Sequence, residues 1–204
     1  MEISSEEIKK RAYELRVQMT QDRRCLHQIP EIGTDLPQTS AYIKKRLDEM
    51  GIPWKDCGGP LPAKMTDDFV EAGFPRMEKE TGVTAVIGHG SPCILLRADM
   101  DALPVREDND LEYKSCNGAG HMCGHDSHAA MLLGAAQILK DMESELKGSV
   151  KLMFQPGEET GAGARVMVAN RALQDPQVHA AFGLQVLPTD DTGKVGYAVG
   201  VNSA

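Results

Sequence analysis

The sequence predicts an α/β fold, a mostly parallel or mixed sheet with flanking helices, and three observations carry that reading. From residue 83 onward, the short apolar runs VTAVIG, CILLRADM, SVKLMFQP and VHAAFGLQV alternate with the helix-like segments HDSHAAMLLGAAQILKDME and GARVMVANRAL. Strand alternating with helix argues for a sheet with helices packed on it. Glycine (20) and proline (11) are frequent enough to punctuate a chain of 204 residues into short elements. Hydrophobic residues make up 41% and charged residues 25%, an ordinary globular composition that excludes a disordered or fibrous chain. Only 4% is aromatic, so the core is built from Leu, Ile, Val, Ala and Met.

The elements follow in order. Ser4 and Ser5 precede Glu6 and Glu7, a helix start that puts acid where the N-terminal dipole favours it. Ile8, Ala12, Leu15, Met19 and Leu26 then recur at near-helical spacing, and Pro30 closes the segment. A second helix is expected from Pro37, a residue suited to the first turn, to Gly51. Residues 53–82 show no sustained period and are read as a loop or insertion with about one helical turn. VTAVIG and CILLRADM read as strands around a Gly-Ser-Pro turn, followed by a buried helix, a strand, a helix and a strand. KVGYAVG reads as a last strand.

Charge and patterning narrow the function. Thirty acidic against 22 basic residues give a net charge of −8, which disfavours nucleic acid or an anionic membrane as the main partner. No run approaches the roughly 20 apolar residues of a membrane span. MEISSEEIKK lacks the basic start and apolar middle of a signal peptide, and five scattered cysteines suit a reducing, cytoplasmic setting.

Three segments at predicted strand ends are crowded with metal-capable groups. ILLRADMDALP carries Asp99 and Asp101, which share one side of an extended chain. GHMCGHDSH packs His121, Cys123, His125, Asp126 and His128 into eight residues, including half of the six histidines. LMFQPGEET ends with the adjacent carboxylates Glu158 and Glu159. Taken singly, an Asp-x-Asp can be a turn, His128 a solvated helix residue, His121 an ordinary loop histidine and paired glutamates a polar surface. Together, at the carboxyl ends of strands in one α/β sheet, they suit a ligand site. A thiolate, an imidazole and a carboxylate can hold Zn²⁺ or Mn²⁺ and leave room for a water, while a neighbouring glutamate takes that water's proton. His27, His89 and His179 stand apart and are read as structural.

The segments RADMDALP, GHMCGHDSHAAMLLGAA and FQPGEE resemble the signatures of the M20 metallopeptidase clan. Within it, the likeness is to amidohydrolases that include N-acyl-amino-acid amidohydrolases, hippurate hydrolases and auxin-conjugate hydrolases. It runs from RRCLHQIPEIG to KVGYAVG and implies a zinc-exopeptidase-like catalytic domain, of which residues 1–204 are the N-terminal part. The resemblance implies Cys123, His125 and Glu159 as metal ligands, Glu158 as general base, and Asp101 as a carboxylate orienting a metal-site residue. Asp99 lies where related subfamilies carry a histidine ligand. A family histidine ligand expected after Phe182-Gly183-Leu184 is replaced by Gln185, whose amide oxygen is a weaker zinc ligand than imidazole. His179, about 20 Å away along a strand, is no substitute. The family's lid domain, through which members dimerise, and its final histidine ligand lie beyond the sequence.

The expected function is metal-dependent hydrolysis of the amide bond in a small N-acyl amino acid or dipeptide-like substrate, using one or two Zn or Mn ions. A full-length form would be a homodimer. The alternative is a catalytically incomplete fragment or pseudoenzyme that binds metal weakly. A third reading, a cysteine hydrolase built on Cys123 with His121 or His125, leaves Glu158 and Glu159 unexplained.

Overall fold

The computed structural model describes residues 4–73, 76, 78–189 and 191–197. Ser4 caps the first helix as expected, its Oγ accepting the Glu7 amide at 3.2 Å. The N-terminal apolar stripe forms two helices, α1 (Ser5–Glu14) and α2 (Arg16–His27). The break is slight, because Leu15 stays in the right-handed region and the Leu15 and Met19 amides keep their helical bonds. Helix α3 (Pro37–Glu49) starts on its proline, and Gly51 follows it at φ +65°.

Residues 53–82 hold more structure than the sequence suggests. They carry β1 (Trp54–Asp56) and a nine-residue helix, α4 (Ala63–Glu71). There follow β2 (Val83–Gly88), β3 (Cys93–Asp99), α5 (His125–Asp141), β4 (Ser149–Gln155), α6 (Gly163–Ala169) and β5 (Val178–Gly183). Helix α6 is shorter than GARVMVANRAL implied. Residues 194–197 of the expected last strand are not in a strand, and 198–200 lie outside the described residues.

The five strands form one mixed sheet in the order β1-β2-β4-β3-β5. β3 pairs in parallel with β4 and β5, whereas β2 runs antiparallel to both β1 and β4. Helices α5 and α6 supply the crossovers that parallel neighbours require. The larger core lies between the sheet and the α2, α3 and α5 layer, where Leu26, Ile43, Leu47, Leu133, Leu152 and Phe154 are buried. On the opposite face, Met167 of α6 packs with Cys57, Leu95 and Met153. β5 is an edge strand with nearly all its residues exposed. In register, Asp99 pairs with Gln155, so β3 and β4 end together at the place where the motifs begin. Among the described residues, no helix is long and apolar enough to cross a membrane.

Candidate metal centre

Loop closure assembles the site. Leu103 and Gly120 exchange backbone hydrogen bonds at 3.1 and 3.0 Å, so the chain that leaves Asp101 returns beside it at Cys123 and His125. Gly124 makes the turn into α5 at φ +79°, where an added Cβ would meet Val186 Cγ2 at 2.4 Å. Gly157 (φ +63°) plays the same part after β4, turning the chain so that Glu158 and Glu159 lie beyond the strand end.

Asp101 is the organiser. Its backbone oxygen accepts from His125 Nδ1 at 2.9 Å, which fixes the tautomer and leaves Nε2 with a free lone pair. Its carboxylate lies 3.3 Å from the same Nδ1 and accepts the Glu159 amide at 3.1 Å. One side chain thus orients both an imidazole and a glutamate. Ligand atoms of Cys123, His125 and Glu159 all fall within 4.8 Å of one another. Glu158 Oε2 and Glu159 Oε1 lie 3.8 and 3.9 Å from His125 Nε2.

The electrostatics are those of an anionic pocket. The neighbouring Glu159 carboxylate, burial, and the charges of Glu158 and Asp101 push the Cys123 thiol up to about 12. Burial raises Glu158; His125 opposes the shift, and Asp99, Glu159 and Asp101 add to it. Burial works against charge on His125, but the Asp101 hydrogen bond and the field of Asp99 outweigh it and raise its pKa. Glu159 Oε1 is buried with no hydrogen-bond partner among the described residues. An unpartnered carboxylate oxygen, a free imidazole lone pair and a thiol crowded by carboxylates fit a divalent cation.

A second group, Asp99, His125 and His128, is fully buried. His128 is already committed there: Nδ1 meets Asp99 Oδ1 at 2.5 Å, and Nε2 accepts the Val186 amide at 2.9 Å. This binds the segment after β5 to the end of β3. Asp99 also has Arg97 Nη1 at 2.7 Å; burial pushes its carboxyl up, but His128, His125 and Arg97 together hold it below the usual range. Gln185 is exposed, with Nε2 3.4 Å from the Cys123 backbone oxygen.

The sequence reading of His27 as an isolated structural residue needs correction. His27 lies between two carboxylates, Nδ1 2.7 Å from Asp126 Oδ2 and Nε2 2.8 Å from Glu107 Oε1. His121, in the loop before α5, and His128, on α5, are both buried, so neither is solvated. Burial takes His121 down to about 4. His179 binds at the far end of the sheet, where its Nδ1 accepts the Cys93 amide at 3.1 Å, and His89 is exposed. The signal for His27 was its place beside buried Leu26 on a helix; its partners, 99 and 80 residues away, leave no mark in local pattern.

An α/β sheet carrying a thiol, imidazole and carboxylate cluster at the ends of parallel strands is the class of fold that can hold a metal ion at its strand ends. The model of peptidase family M20/M25/M40 matches residues 95–200, and the chain belongs to that family. It is 43% identical over 166 residues to IAA-amino acid hydrolase ILR1-like 5 of Arabidopsis thaliana, covering 80% of this chain and 33% of that protein. It is 41% identical over 181 residues to N-acetyl-L-cysteine deacetylase of Bacillus subtilis, covering 87% of this chain and 38% of that one. Among solved structures, a dinuclear metal-binding M20 peptidase of Bacillus subtilis superposes with a TM-score of 0.70 at 33% identity, over 87% of this chain and 45% of that chain. An aminohydrolase, described as putative, from methicillin-resistant Staphylococcus aureus gives 0.78 at 28%, over 94% and 46%. The chain therefore spans about a third to just under half of the relatives it matches.

Proposed function

We propose that residues 1–204 form the N-terminal part of an M20-type catalytic domain whose protein hydrolyses the amide bond of N-acyl amino acids or small peptide-like conjugates. The observation that carries this is the convergence of Cys123, His125 and Glu159 within 4.8 Å, with Glu158 beside them. Cys123, His125 and Glu159 would hold one Zn or Mn ion, or share two, with the Gln185 amide oxygen as a weaker donor. When bound, the ion lowers the pKa of a water and polarises the scissile carbonyl. Asp101 holds His125 and Glu159 in place through its carboxylate and backbone oxygen. Glu158, 40% exposed and raised in pKa, is the general base: it takes a proton from water and hands it to the leaving nitrogen. The likeness to an IAA-amino acid hydrolase and an N-acetyl-L-cysteine deacetylase supports small amino-acid conjugates as substrates. A homodimer of the full-length protein and a cytoplasmic location belong to the same reading.

The test is Glu158→Gln assayed on a panel of N-acetyl and indole-acetyl amino acids. Hydrolysis should fall by about 10²–10⁴-fold while metal content, measured by mass spectrometry, is kept. Full activity in this variant sinks the general-base assignment. A second reading, a pseudoenzyme with weak metal binding, is favoured by Gln185 at a family histidine position. The cysteine-hydrolase reading loses support, because a thiol pushed up to about 12 is rarely the thiolate that attacks.

A further inference from the structure

We infer that His27, bridging Asp126 and Glu107, is a positioning residue that holds the Cys123–His125 segment in its metal-binding geometry. The inference rests on the metal site proposed above and adds to it a residue from a distant helix. Asp126 follows His125 in the first turn of α5; its Oδ2 accepts from His27 Nδ1 at 2.7 Å and is in ion-pair contact with Arg23 Nε at 2.8 Å. Its other oxygen accepts the Ser127 amide at 2.8 Å. Glu107 lies in the chain between Asp101 and Cys123; it takes His27 Nε2 at 2.8 Å and the Ser115 amide at 2.7 Å.

A neutral imidazole has one donor and one lone pair, and a lone pair facing a carboxylate repels it. With carboxylates at both nitrogens, His27 donates twice as an imidazolium; the Asp126 hydrogen bond leads in raising its pKa, against the cost of burial. The two carboxylates stand on the two segments that flank the ligands, and His27 belongs to neither. It therefore ties the loop and the start of α5 to one rigid helix, α2. The same helix grips the loop again, with Arg24 stacked 4.7 Å over the Tyr113 ring and Tyr113 edge-on to His27 at 5.7 Å. Beyond α2, Asn117 donates to the Pro30 oxygen at 2.8 Å. Through Asp126 and the loop, His27 acts on Cys123 and His125 without itself being a ligand.

The experiment compares the wild-type chain with His27→Leu, His27→Gln and Glu107→Gln. Asp22→Asn, which loosens the same helix at another buried partner, is the control. Cobalt titration reads affinity and the thiolate-to-cobalt absorption band, and site-resolved iodoacetamide labelling of the metal-free protein reads the freedom of Cys123. His27→Leu should weaken cobalt binding at least tenfold, diminish the band and speed Cys123 labelling several-fold. His27→Gln, which keeps one donor, should fall between. Asp22→Asn should leave all three readings at the wild-type level. If His27→Leu fails to fold, Glu107→Gln and His27→Gln decide in its place. Wild-type labelling and spectra in the His27 and Glu107 variants overturn the inference, as does an equal change in Asp22→Asn. A wild-type chain that takes up no cobalt refutes the metal site itself, while the labelling rates still decide whether His27 positions Cys123.

Discussion

Glu80 offers a sharp test of how burial sets stability in this fold. It is 5% exposed, and neither carboxylate oxygen has a hydrogen-bond partner among the described residues. Burial alone raises its pKa from 4.5 to about 8. An acid whose folded pKa is raised favours the protonated form in the native state. Stability is therefore fullest below pH 4.5, falls as pH rises from there, and levels off above about 8. A tenfold change in an ionisation equilibrium is worth about 1.4 kcal/mol, so at neutral pH the need to take up a proton on Glu80 during folding lowers stability by about 3 kcal/mol relative to acid pH. Glu80→Gln keeps the shape and removes the charge. Urea titrations from pH 5 to pH 8 should show the variant gaining on wild type with rising pH, by about 3 kcal/mol in all. A difference between the two that stays flat across this range would refute the reasoning.

Three further outcomes are expected. Asp22 accepts from Arg46 Nε at 2.9 Å, Tyr42 at 2.7 Å and Gln18 at 3.1 Å, while Arg46 also pairs with Glu49, so Asp22→Ala removes the shared acceptor of three donors and should cost about 1–3 kcal/mol in a denaturant titration. An added Cβ on Gly163 would sit 1.6 Å from the Pro156 carbonyl oxygen. Gly163→Ala should thus lose about 3 kcal/mol of stability, and calorimetry should show weaker metal binding because the Glu158–Glu159 turn is pushed aside. Gln185→His should tighten zinc binding at least tenfold by competition with a chelator; unchanged affinity would show that this position does not face the ion.

Legibility followed the range of the interactions. The strands β2, β3 and β4 and helix α5 were plain because each is a contiguous apolar run whose period declares its class. Cys123 and His125 were visible because their crowding is local, whereas Glu158 and Glu159, an ordinary polar pair taken singly, stood out by their place at a strand end and by the family resemblance. Helix α4 was hidden because Leu61 and Met65 find their apolar partners, Ala162 and Val166, about a hundred residues downstream. β1 is three residues long, too short to show alternation, and exists by pairing with β2. His27 and Glu107 were hidden for the same reason as α4: a polar contact between distant segments has no period. Asp99 and Asp101 fall between these cases, legible as a pair but not as the separate partners of His128 and His125.

The position of β5 at the sheet edge bears on how the chain behaves in solution. Its outer backbone donors and acceptors face no strand among the described residues, and Phe182 and Leu184 are each 60% exposed. Such an edge templates strand addition from any extended chain that reaches it. The opposing force is the net charge of −8, which keeps copies apart over the screening length of the buffer. That length shrinks from about 30 Å at 0.01 M salt to about 3 Å at 1 M. For residues 1–204 taken alone, dilute salt should therefore keep such edges separate and concentrated salt should let them meet, which light scattering across a salt series would show.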